Sequence, residues 1–176
     1  MDSAKTLTPA LSQGEREPNT WQPGEYSIST DRARLNLDLI HNYLSSESYW
    51  ASGRSRQVVE RSIENSLPFG IYQGHEQVGF ARAISDGATF AYLADVYVLP
   101  PYRGRGLGLE LVREMVGSGE LARVRWMLHT ADAQRLYEKF GFSENPPRYA
   151  LMEREARRAG RAPSREGVGG SSLPRP

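Results

Sequence analysis

From Phe90 to Leu99 the chain is almost wholly apolar, then meets Pro100 and Pro101, and continues through the glycine-rich Arg103-Gly-Arg-Gly-Leu-Gly108 into a helical pattern. A buried strand that stops at a turn and delivers glycines to a helix start leaves several backbone N–H groups unpaired and aimed at one place. The helix dipole makes that place favourable for phosphate. Glycines at 104, 106 and 108 permit close approach of a ligand and positive φ, and Arg103 and Arg105 add positive charge.

Two common phosphate loops do not fit the spacing. A Walker loop needs Lys-Ser or Lys-Thr after its glycines, and none follows here. A dinucleotide fingerprint needs Gly-x-Gly-x-x-Gly, but the third glycine arrives one residue early, at Gly108. Arg-x-x-Gly-x-Gly does match, at Arg103, Gly106 and Gly108. This spacing resembles the pyrophosphate loop of the GNAT acyl-CoA-dependent N-acetyltransferases, and Leu93-Ala-Asp-Val-Tyr-Val-Leu-Pro-Pro-Tyr-Arg103 resembles the strand that precedes it in that family. The alternative is a glycine-rich surface turn.

Composition removes several other classes. A chain of 176 residues with 39% hydrophobic and 24% charged residues has the make-up of a single globular domain with a real core. A net charge of +1 argues against a general nucleic-acid binder, which would need a concentrated basic surplus. The absence of cysteine excludes disulfides, thiolate zinc sites and a cysteine nucleophile. No run approaches the ~20 apolar residues of a membrane span. A cytoplasmic enzyme without membrane or nucleic-acid partners is the expectation.

The ends differ from the middle. Residues 1–23 carry Pro9, Pro18 and Pro23 among polar residues, and residues 155–176 are rich in Arg, Gly and Pro. Neither stretch has enough apolar side chains to offset the entropy of ordering, so a disordered leader and tail are expected around a domain at 24–154. Within it, Tyr26 to Ser29 reads as a strand, and Leu35 to Leu44 as a helix capped by Thr30 or Asp31. A second helix is expected around Val58 to Ile63. Phe69 to Tyr72 and Val78 to Ile84 form a hairpin about Gln73-Gly-His-Glu76, and Phe90 to Val98 is the next strand. Leu107 to Val116 reads as a helix, Val124 to His129 as a strand, Ala133 to Phe140 as a helix stopped by Gly141, and Tyr149 to Met152 as a last strand.

That order is the one the resemblance implies: an α/β (α+β) GNAT fold, with a central mixed, mostly antiparallel sheet of six to seven strands flanked by about four helices. About 130 residues are covered. Leu136-Tyr137-Glu138-Lys139-Phe140-Gly141-Phe142 is similar to the Leu-Tyr-x-x-x-Gly-Phe that closes such domains. Tyr137 is then the candidate acid for the departing thiolate or a contact to the CoA sulfur, with a core-packing tyrosine as the alternative. Thr130 stands where many relatives carry asparagine, which places that cofactor contact in question.

The resemblance also implies that the Val96 N–H stabilises the oxyanion, that Tyr97 and Val98 offer backbone contacts to pantetheine, and that Arg103, Gly104, Arg105, Gly106, Leu107 and Gly108 bind the pyrophosphate. Asp95, the one carboxylate inside its strand, is either the base that frees the attacking amine or a structural acid bonded to Arg82 or to backbone. Tyr92, three residues earlier, is expected on the opposite face, where a tyrosine could order water. Tyr49 and Trp50 are candidates for an aromatic wall of the acceptor pocket, or for core packing. His129 falls near the expected cleft, though a satisfied surface or edge residue is the favoured reading; no metal site is indicated.

The function expected is acetyl transfer from acetyl-CoA to a primary amine of a small molecule or peptide, by direct attack in a ternary complex, in a monomer or homodimer. The competing expectation is a non-catalytic acyl-CoA-binding or regulatory module with the same fold.

Overall fold

Alternating apolar side chains in three successive segments build the centre of the molecule. The computed structural model describes residues 20–21 and 24–144. Leu67–Gln73 (β3), Glu76–Ser85 (β4) and Phe90–Val98 (β5) pair antiparallel in sequence order. Tyr26–Ser29 (β2) adds to β3, and Thr20–Trp21 (β1), within the stretch read from sequence as a leader, adds two residues to β2. Arg125–Met127 (β6) joins β5 in parallel, so the described residues form one mixed, mostly antiparallel six-stranded sheet. The expected strand at 149–152 lies outside the described residues.

Helices cover both faces. On one face Leu107–Gly117 (α3) buries Leu107, Leu111, Val112 and Met115 against Phe69, Ile71, Ala81, Ala83, Ala91 and Leu93. Leu111 and Met115 are fully buried, and each contributes about 1.5–3 kcal/mol relative to exposure. On the other face Leu37–Asn42 (α1) and Arg56–Glu64 (α2) bury Ile40, Val59 and Ile63 with Tyr43, Leu44, Phe80 and Tyr97. Gln134–Glu138 (α4) follows β6 and stops at Gly141, whose φ of 81° suits a residue without a side chain.

Two local expectations are corrected. Asn36, not Thr30 or Asp31, caps α1, accepting from the Leu39 N–H at 3.0 Å; Asp31 caps a separate 3-10 turn at Arg32–Arg34. Past Asn42 the backbone widens into a π turn over Tyr43–Glu47, so the helical spacing continues without an α-helical ladder.

The feature that shapes the cleft is a bulge in β5. Phe80 pairs with Tyr97 and Arg82 with Ala94, so Ala81 alone faces two residues, Asp95 and Val96. Asp95 has φ 54°, the only described non-glycine residue with positive φ. The extra residue shifts the phase of the strand. Ala91 and Leu93 pack towards α3 before the bulge, and Val96 and Val98 do so after it. Tyr92 and Asp95 therefore share one face, against the strict alternation expected from sequence.

Candidate active site

Beyond Tyr92 the sheet opens. β6 pairs with β5 only at Phe90↔Arg125, Ala91↔Trp126 and Tyr92↔Met127, so residues 93–98 of β5 have no β6 partner. The chain of 128–133 diverges from them and the gap widens into a cavity of about 550 Å³. Tyr49, Trp50, Tyr92, Asp95, Val96 and Tyr137, all singled out from sequence, line it together, with Arg54, Arg82, His129, Thr130 and Asp132. Tyr97, Val98 and the loop 103–108 lie outside this cavity, towards the other end of β5.

At that end the helix start is built as the glycine spacing suggests. Gly106 is the N-cap of α3 with φ 81°, a conformation that resists side chains, and its cap position makes no side-chain hydrogen bond. Leu109 and Glu110 N–H groups turn back to the Gly106 carbonyl, at 3.0 and 3.1 Å. Leu107 and Gly108 N–H groups stand before the first helical hydrogen bonds, where the dipole favours an anion. A Cβ on Gly106 would meet nothing within 4 Å, so the need for glycine there is conformational and not steric.

The loop arginines are tied back by uncharged acceptors. Arg103 donates from Nε to the Val98 carbonyl at 2.9 Å and from a terminal nitrogen to Tyr43 Oη at 2.9 Å. Arg105 donates to Tyr26 Oη at 2.5 Å. Among the described ion pairs neither meets a carboxylate, so both charges add to the field at the loop.

Asp95 is held on all sides. Its carboxylate accepts from Arg82 Nε at 2.6 Å, from a terminal nitrogen of Arg54 at 2.9 and 3.1 Å, and from Trp50 Nε1 at 3.3 Å. The Asp95 side chain is 3% exposed. This is the arrangement of the structural acid bonded to Arg82, with both oxygens bonded to guanidinium groups. The geometry matches the structural alternative for Asp95, which holds Arg82 and Arg54 together at the cavity wall. Arg54 was not legible in this role: it sits in the loop before α2, 41 positions away.

Tyr137 is buried at 8% exposure, its ring set edge-on to Phe142 at 5.9 Å. Burial, with Tyr49 and Asp132 nearby, pushes its hydroxyl pKa up to about 12. It therefore stays a phenol throughout the working pH range. Tyr92 Oη and His129 Nδ1 lie 2.8 Å apart across the mouth of the β5–β6 gap. Tyr49 and Trp50 are exposed, edge-to-face at 5.0 Å, and form a wall of the cavity. Thr130 Oγ1 accepts from the Ala133 N–H at 3.0 Å at the entry to α4. Among the described residues no group of three or more His, Asp or Glu is placed to hold a metal, and no helix is long and apolar enough to cross a membrane.

Known proteins resemble this chain in sequence and fold. Residues 64–144 match the acetyltransferase (GNAT) domain family. FG08082 of Gibberella zeae, which carries an acetyltransferase name, is 36% identical over 146 residues, covering 70% of this chain and 81% of that protein. The crystal structure of xcc2953 from Xanthomonas campestris pv. campestris, described as belonging to the GNAT family, is 43% identical with a TM-score of 0.71, covering 76% of this chain and 94% of that one. SA2161 of Staphylococcus aureus has the same fold at 23% identity and a TM-score of 0.60, over 74% and 99% of the two chains. At 36% and 43% identity over 81% and 94% of the first two proteins, this chain belongs to the GNAT acetyltransferase family.

Proposed function

We propose that the chain transfers acetyl from acetyl-CoA to the primary amine of a small molecule or peptide, by direct attack in a ternary complex. One observation carries this reading: the unpaired edge of β5 runs from the start of α3 straight to the cavity lined by Tyr137. An extended pantetheine arm needs such an edge, with a phosphate site at one end and a reaction chamber at the other. The group supplied is an acetyl thioester, whose carbonyl carbon accepts the amine lone pair while the C–S electron pair leaves on sulfur.

The residues then divide the work. Leu107 and Gly108 N–H groups bind the pyrophosphate, with Arg103, Gly104, Arg105 and Gly106 shaping and charging the loop. Tyr97 and Val98 backbone groups bond the pantetheine amides. The Val96 N–H donates to the carbonyl oxygen as it gains charge, worth roughly 3 kcal/mol if fully oriented. Tyr137 donates a hydrogen bond to the departing sulfur. Handing its proton outright from a hydroxyl of pKa about 12 to a thiolate of ordinary pKa near 8.5 would be uphill by roughly 5 kcal/mol, so hydrogen-bond stabilisation is the role assigned.

His129, hydrogen-bonded to Tyr92 at the cavity lining, is assigned to receive the amine proton on an imidazole nitrogen. His129→Gln is expected to lower kcat/KM roughly 100-fold at neutral pH, with the loss shrinking as pH approaches the acceptor's own pKa. A parallel pH profile at wild-type rate would remove His129 from the reaction.

Tyr137→Phe is expected to lower kcat roughly 10–100-fold while the Kd for acetyl-CoA stays within about threefold, since hydrogen bonds to charged groups contribute about 1.5–3 kcal/mol. Burial raises the Tyr137 pKa, so its hydrogen-bonded form persists below pH 10 and no alkaline loss of activity there should trace to it. Thiol release from acetyl-CoA across an amine panel, with mass measurement of the acetylated product, tests the function itself. Tight acetyl-CoA binding with no transfer to any amine would favour the non-catalytic reading.

A further inference from the structure

The cavity holds more positive charge on its α1–α2 side than its structure consumes. Among the described residues Arg54 and Arg82 converge on a single carboxylate, Asp95, which leaves one guanidinium charge uncompensated there. Their bonds to described residues engage Nε of Arg82 and one terminal nitrogen of Arg54. Each guanidinium has five N–H donors, so both retain donors at the cavity lining. Their side chains are 10% and 23% exposed, a setting in which a surplus charge is screened far less than at the surface.

Charge of the other sign lies across the cavity. Asp132, in the turn before α4, is exposed and close enough to Tyr137 to raise that hydroxyl's pKa. Tyr137 marks the place where sulfur leaves, so the carboxylate stands where an incoming amine would arrive. The cavity is thus polarised, with cations by β4 and an anion by the reacting centre. Pantetheine is uncharged and does not account for this polarity.

We propose that the acceptor carries a carboxylate or phosphate close to its amine, with the oxyanion held by Arg54 and Arg82 and the amine directed towards Asp132 and Tyr137. Arginine's planar fork suits both oxyanions, through paired N–H donors. This inference rests on the acetyltransferase reading above and narrows its substrate class.

The test compares amines that differ only in the anion. Amino acids are assayed beside their carboxamides and decarboxylated amines, and phosphoethanolamine beside ethanolamine, with calorimetry of the same compounds on CoA-saturated protein. The expected result is at least tenfold higher kcat/KM, or tighter binding, for the anionic member of one series; which series shows it distinguishes carboxylate from phosphate. Arg54→Met should collapse that ratio towards one, and Arg54→Lys should restore part of it. A general loss of activity from disturbing Asp95 would lower both members together and leave the ratio unchanged. Acetyl-CoA binding with no discrimination in any series would overturn this inference alone. Failure to bind acetyl-CoA at all would overturn the transferase reading beneath it.

Discussion

Asp95→Asn should cost about 3 kcal/mol of folding stability, a fall in Tm of roughly 10 °C for a domain of this size. Removing the charge from a carboxylate that is 3% exposed leaves Arg54 and Arg82 facing one another without a counter-ion. Asparagine tolerates positive φ nearly as well as aspartate, so the backbone at φ 54° is preserved and the loss reports the charge. Asp95→Ala should cost more, because alanine adds a conformational penalty of about 1–2 kcal/mol at that φ. Thermal and urea unfolding of the two variants separate these contributions. A change below about 0.5 kcal/mol for the asparagine variant would show that the ion pairs do not hold the bulge.

The consequence for function follows from position. The bulge sets the phase of β5, which puts Asp95 on the same face as Tyr92 and leaves the Val96 backbone at the open edge. Weakening it should therefore reduce turnover through the geometry of the strand.

Gly106→Val should weaken acetyl-CoA binding by at least about 30-fold while leaving the fold recognisable by circular dichroism. A β-branched residue at φ 81° carries strain of about 1–3 kcal/mol, and the chain relieves it by turning the first N–H groups of α3 away from their common focus. Nothing lies within 4 Å of the added Cβ, so the effect comes from backbone geometry and not from a clash. Gly106→Asn, which accepts positive φ, should lose much less. Equal losses in both variants would point to steric blocking of a ligand, and no loss in either would separate the loop from the cofactor.

Much of this was legible in the sequence where local chemistry decides structure. The apolar run of β5, broken only by Asp95 and closed by Pro100, sets its limits at Phe90–Val98, and the apolar spacing from Leu107 marks α3 equally well. Legibility ended where pairing between distant segments decides. The bulge at Asp95 exists because β4 and β5 differ by one residue between Phe80 and Arg82, and nothing in β5 alone discloses that it reverses the alternation. An aspartate in an apolar strand did signal a buried partner, and Arg82 supplies it. Arg54 comes from a loop whose path α1 and the π turn determine. The Tyr92–His129 contact was hidden for the same reason, since it joins two strands across the gap. Asn36 was overlooked as a cap because Asp31, also a cap residue, comes first in the chain and serves its own turn.

If the loop at Arg103 to Gly108 and the open edge of β5 form one acetyl-CoA site, calorimetric titration of the purified chain with acetyl-CoA, with ATP and NAD as controls, should show saturable one-site binding to acetyl-CoA and none to the controls. No binding to acetyl-CoA, or equal binding to all three, would rule out such a site.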